Sequence, residues 1–262
     1  MKVRKSHFNG TFYPNSCEEI ERYIKTFNEQ VASTPKIELL THKAIIAPHA
    51  GYVYSGFTAN MAYKSLNFMP KRVVVIGPSH KVAFNGVSVA LYDSVQTPCG
   101  NIEIDINYAS KLKEEFGLVF NPLAHEEHSV ETQMPFIKHY FPNATVVELV
   151  YGNTDFLHLS KIISEIMLES HNLVVISTDL SHFYSQEDAN YLDAICLNAV
   201  QNLHLAQLDS GCEACGMLGI KALVDVALKK SLKSQLLDYR TSMNASGDAS
   251  RVVGYMSAVF GN

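Results

Sequence analysis

The stretch "RVVVIGPSH", residues 72–80, decides the fold. Val73, Val74, Val75 and Ile76 are consecutive, apolar and β-branched, so neither side of the segment is polar. That pattern reads as a strand buried on both faces, which needs helices packed above and below its sheet. Gly77 and Pro78 then break the strand, and Ser79 and His80 follow at once. Two further stretches repeat the sequence of events. "KAIIAPH" (43–49) ends in Pro48 and His49, and "NLVVISTDLSH" (172–182) ends in Asp179 and His182.

Outward from these runs, strands and helices alternate. Ser16 and Glu19 form a capping-box pair ahead of a helix carrying Ile20, Ile24 and Phe27. A polar stretch follows at 33–38. Helices are predicted at 57–66, at 106–117 ending on Gly117, at 126–141 with a kink at Pro135, and at 156–169 capped by Asp155. Two more are predicted at 185–203 and 213–230, the last with Cys215 in its first turn. Residues 86–105 read as a hairpin around a Pro/Gly turn. Residues 144–152, 234–243 and 251–260 read as strands. The expected fold is a single α/β domain over 1–262, with a central mixed sheet and helices on both faces.

Composition limits the function classes. The 262 residues are 47% hydrophobic and 18% charged, the balance of a globular chain with a sizeable core. A net charge of −5, without a basic cluster, gives no reason to expect nucleic acid or an anionic membrane as partner. No apolar stretch is long enough to span a bilayer, and the N-terminus lacks the apolar core of a secretory leader. Cysteines occur at 17, 99, 196, 212 and 215, an odd count. Together these facts predict reduced thiols in the cytoplasm in place of a disulfide framework.

In an open α/β sheet, ligands bind beyond the carboxyl ends of the strands. His49, His80, Asp179 and His182 all follow strand ends directly. If the strands are neighbours, three imidazoles and a carboxylate converge on one edge. Such groups suit a divalent transition metal. Taken singly, each histidine reads better as a loop residue that caps a helix or faces water; the recurrence at three strand ends shifts the reading toward a site.

"EEHSVE" (126–131) puts His128 and Glu131 at i and i+3 on one helix face, either as a solvated polar start or as a pocket-facing pair. "CEAC" (212–215) is a lone CxxC. It reads as half a zinc site, as a redox pair or as buried small hydrophobes. Cys215, near a helix start, is a candidate thiolate of depressed pKa.

The segments "SHFNGTFYP" (6–14), "APHAGYVYSG" (47–56), "GPSH" (77–80), "EHSVE" (127–131), "STDLSH" (177–182) and "CG" (215–216) resemble, in this order, the MEMO1 family. In bacteria and archaea it is also called the AmmeMemoRadiSam system protein B family. The resemblance covers nearly the whole chain. It implies a fold like the LigB-like class III extradiol dioxygenases, with a pocket at the strand ends. It implies metal ligands at His49, His80 and Cys215, with Asp179 and His182 beside them. A cysteine replaces the glutamate of the dioxygenases' iron site. The thiolate suits iron, copper or zinc, so the resemblance implies a metal pocket more directly than catechol cleavage. "GMLGI" after Cys215 departs from the "GRxPI"-like continuation associated with the family.

Three functions follow as expectations. The first is a dioxygenase-like oxidoreductase using iron or copper on a small substrate, with His182 as general acid/base, Asp179 fixing its tautomer or polarising a bound group, and His128 and Glu131 lining the pocket. The second is a non-catalytic adaptor that binds a metal or a peptide. By resemblance, its partners would be radical-SAM and AMMECR1-domain proteins. The third is zinc-assisted hydrolysis.

Overall fold

The computed structural model describes residues 2–31, 39 and 41–262; the polar stretch read at 33–38 lies outside the described residues. The strands are β1 (Val3–Arg4), β2 (His42–Ala47), β3 (Arg72–Pro78), β4 (Val87–Val89), β5 (Ser94–Val95), β6 (Ile102–Glu103), β7 (Thr145–Tyr151), β8 (Asn172–Ser177), β9 (His182–Tyr184), β10 (Lys233–Thr241) and β11 (Val252–Gly261). The α-helices are α1 (Cys17–Gln30), α2 (Tyr52–Lys64), α3 (Ile106–Phe116), α4 (His128–Glu131), α5 (Met134–Tyr140), α6 (Phe156–Ile166), α7 (Gln186–Gln201), α8 (Met217–Lys229) and α9 (Met243–Ser246).

The main sheet runs β10-β11-β2-β8-β3-β7-β4, with β9 attached to β11. Strands β2, β8, β3 and β7 are parallel. The flanking strands are antiparallel, β4 to β7 on one side and β11 to β2 on the other. The sheet is therefore mixed, and the chain forms the expected α/β architecture.

Alternation along each central strand feeds two cores. Ile46, Val74, Ile76, Val174 and Ile176 pack with Leu159 and Ile163 of α6, Val200 of α7 and Leu223 of α8. Ile45, Val73, Val75 and Val175 pack on the other face with Ile20 and Ile24 of α1, Met61 of α2 and Ile137 of α5. Each such side chain taken fully from water contributes about 1.5–3 kcal/mol before chain entropy is counted. This double burial is why the runs carry no polar alternation.

Several boundaries differ from the sequence reading. Helix α2 begins at Tyr52, because the carbonyl of Gly51 already accepts the Ser55 N–H. Pro135 sits in the first turn of α5, where its missing N–H costs nothing, so it starts a second helix where a kink was expected. The hairpin is confined to β5 and β6, which turn at Gly100 (φ +104°) and join β1 in a small separate sheet; Val87–Val89 goes to the main sheet. Helix α8 starts at Met217, so Cys215 lies in the turn before it.

The expectation of reduced thiols is corrected. Cys17 is bonded to Cys99, and Cys196 to Cys212, leaving Cys215 as the free thiol. The first pair is 82 residues apart in sequence, and a count of cysteines says nothing of such tertiary approach. With Cys212 committed to Cys196 on α7, "CEAC" is neither half a zinc site nor a redox pair. No helix among the described residues is long and apolar enough to cross a membrane.

Candidate metal centre

Strands β2, β8 and β3 are consecutive in the sheet, so their carboxyl ends deliver His49, Asp179 and His80 to one edge. Cys215 reaches the same edge from the turn ahead of α8. Its N–H donates to the carbonyl of Asp179, and the N–H of Gly216 donates to Thr178 Oγ1 at 2.8 Å. A Cβ on Gly216 would lie 2.5 Å from Thr178 Cβ, so only glycine lets this turn come so close.

Donor atoms of His49, His80 and Cys215 lie within 4.8 Å of one another. The sulfur is 3.4 Å from Nε2 of His49, and the His49 and His80 rings are 5.2 Å apart. Two imidazoles and one thiol gathered this closely fit a transition-metal ion of intermediate softness.

His49 is 2% exposed. Burial, only partly opposed by the Asp179 charge, lowers its pKa to about 4. The ring is therefore neutral near pH 7, as a ligand must be. Its Nδ1 lies 3.0 Å from Ser177 Oγ, which also accepts from Gln133 Nε2 at 2.8 Å. Gln133 is itself fixed, donating to Pro48 O and accepting from the Tyr63 hydroxyl. The other nitrogen of His49, Nε2, faces Cys215.

The depressed pKa expected for Cys215 is corrected. Burial, and then the Asp179 charge, pushes the thiol up to about 12. The Asp179 N–H donates to the sulfur at 3.2 Å, but this does not offset the loss of water. Without a cation the group is a thiol, and binding an ion must displace its proton.

Asp179 does not orient His182. Its Oδ1 accepts the His49 N–H at 2.8 Å, tying the β2 exit to the β8 exit. His182 lies in β9, paired with β11, and its ring packs on Phe183. The structure does not bring Glu131 to the cluster either. Its carboxylate is fully buried and accepts from Arg4 Nη1, the N–H groups of His7 and Phe8, and the Tyr13 hydroxyl. It anchors the N-terminal segment.

His128 does join the cluster, with its ring 4.6 Å from His80 and 5.3 Å from His49. Sequence reasoning missed its neighbour Glu127. That carboxylate is 1% exposed and meets Nδ1 of both His80 (3.2 Å) and His128 (2.8 Å). Burial alone would raise its pKa, but these hydrogen bonds hold it well below the usual carboxylate range. The one local signal was an acidic residue in a helix-capping position.

The His128 ring also packs on Phe12, with ring centres 4.7 Å apart. Phe12, with Tyr13, Tyr23, Tyr52 and Val53, lines a surface cleft of about 400 Å³. His80 retains 30% side-chain exposure, so the cluster is open on its side.

Residues 4–259 match the family model described as "Memo-like protein". A MEMO1 family protein of Aquifex aeolicus is 33% identical, covering 99% of this chain and 100% of its own. One from Sulfurisphaera tokodaii is 33% identical over the same shares. One from Methanobrevibacter smithii is 30% identical over 98% of this chain and 99% of its own.

Proposed function

The chain belongs to the Memo-like protein family, and from that premise we propose that it is a metal-binding redox protein, acting on a small substrate at the β2-β8-β3 edge. His49, His80 and Cys215 hold the ion, iron or copper in preference to zinc. The carrying observation is the donor set itself, two imidazoles and a thiol within 4.8 Å. A thiolate favours soft and borderline ions and is poorly suited to magnesium or calcium. When bound, the ion supplies a redox centre and a position for dioxygen or substrate.

The remaining roles fall to the protein. Ser177 and Asp179 fix the ring and main chain of His49. Cys215 gives up its proton on ligation. His128, held by Glu127 beside the exposed face of His80, is better placed than His182 to move a proton at the open side.

The test is metal content after anaerobic purification, or after reconstitution with Fe²⁺, Cu⁺ or Zn²⁺, for the wild type and for His49→Ala, His80→Ala and Cys215→Ala. Stoichiometric iron or copper in the wild type, lost in all three variants, is the expected result. Redox-silent zinc shifts the reading to hydrolysis. No metal under any condition overturns it in favour of a non-catalytic adaptor.

A further inference from the structure

Both oxygens of Glu127 are surrounded by donors. Oε2 accepts the main-chain N–H of His80 at 2.7 Å and of Lys81 at 3.3 Å, and Oε1 accepts that of Ser129 at 3.3 Å. Main-chain amides only donate, so the group they enclose is the ionised carboxylate, which only accepts. The same Oε1 lies 3.2 Å from Nδ1 of His80 and 2.8 Å from Nδ1 of His128. A bare nitrogen lone pair facing a carboxylate oxygen at that distance would be repelled. Each Nδ1 must therefore carry a hydrogen, and a neutral imidazole has only one.

We propose that Glu127 is a positioning residue that locks two histidines at once as Nδ1–H tautomers, leaving Nε2 of both His80 and His128 as bare lone pairs. The tautomers follow from hydrogen bonding alone. What the two lone pairs serve rests on the metal reading above. Nε2 of His80 is free to ligate with His49 and Cys215, and Nε2 of His128 is free to accept a proton from a hydroxyl or water arriving beside the ion. One carboxylate thus sets up a ligand and a base together, and neither imidazole can take the tautomer that would cap its working nitrogen.

The experiment uses the full-length, ion-free protein with ¹⁵N-labelled histidine, at about pH 8.5, where imidazoles are ordinarily neutral. Long-range ¹H–¹⁵N spectra distinguish the tautomers, and His80→Ala and His128→Ala assign the two rings. Both are expected as Nδ1–H. In Glu127→Gln the amide oxygen is claimed by the N–H groups of His80 and Lys81, so the amide NH₂ turns to the two rings. Both rings should then switch to Nε2–H, and Zn²⁺ affinity should fall roughly 10- to 100-fold.

An Nε2–H pattern for either ring in the wild type overturns the proposal, and so does an unchanged Nδ1–H pattern in folded Glu127→Gln. Switched tautomers with unchanged Zn²⁺ affinity overturn its functional half. The spectra need no metal. They therefore stand or fall separately from the metal content that tests the proposed function.

Discussion

Nε2 of His49 stands 3.4 Å from the sulfur of Cys215, although 166 positions separate the two residues in the chain. Neither group carries a charge near pH 7. Burial holds the imidazole neutral, with a pKa of about 4, and keeps the thiol protonated to about 12. The pair is two neutral donors and not a preformed ion pair.

Metal binding should therefore release the Cys215 proton. Between about pH 7.5 and 9, log affinity for Zn²⁺ should rise by about one per pH unit, because His49 is already deprotonated and the thiol is not. Titration calorimetry in buffers of different ionisation enthalpy measures the proton directly. A pH-independent affinity in the wild type would show that the sulfur is not a ligand. Cys215→Ala should remove the slope.

Gly216→Ala should displace the ligand turn. The new Cβ would lie 2.5 Å from Thr178 Cβ and 2.6 Å from its Oγ1. Overpacking of this kind costs about 1–3 kcal/mol. Denaturant unfolding should show that loss, and metal affinity should weaken as Cys215 moves off the β8 exit. Unchanged affinity would mean the turn position is immaterial.

Glu131→Ala should act on stability and leave the metal site alone. Removing the carboxylate strips Arg4 Nη1 and Tyr13 of a buried partner. Breaking a buried pair in this way typically costs about 3–5 kcal/mol. The folded fraction should retain its metal. Loss of metal from folded Glu131→Ala would return the residue to the site.

Acid stability should depend on Glu148. Burial raises its pKa, but Arg4 and His125 outweigh burial and leave it lowered in the fold. A carboxylate depressed by folding stabilises above its unfolded value, about 4.3, and that contribution is lost as pH falls through the folded value. Glu148→Gln should be less stable at neutral pH, and its stability should fall less steeply below about pH 4. Parallel acid-unfolding profiles for the two proteins would exclude this linkage.

The two disulfides are directly countable. Alkylation of the denatured chain without reductant should label Cys215 alone, and all five cysteines after reduction. By the chain-entropy model, the bond closing 82 residues contributes about 4.5 kcal/mol and the one closing 16 about 3. Cys17→Ser/Cys99→Ser should therefore be the less stable double variant.

What the sequence reveals here is local. Val73–Ile76 and its two counterparts show buried strands because β-branched runs lack a polar face, and the broken ends mark where side chains leave the sheet. The order β2-β8-β3, which turns three separate endings into one cluster, comes from non-local pairing that no short window contains. Glu127 escaped notice for the same reason. Along the chain it reads as a helix cap and does accept the Ser129 N–H, but it also reaches His80 and Lys81 across 47 and 46 positions. Glu131 misled in the opposite way. Helical spacing pairs it with His128, yet the unsatisfied charge of a buried Arg4 draws it elsewhere.

Strand β11 lies between β10 and β2, so the carboxyl-terminal strand completes the flank of the strand that carries His49. A ribosome that has made the first two hundred residues has released both imidazoles, but neither the sulfur nor the strand that covers β2. The cluster of His49, His80 and Cys215 is therefore assembled only after residue 215, and the flank of β2 only after β11. A chain lacking β11 would leave the β2 edge open beside His49, with its backbone groups unpaired.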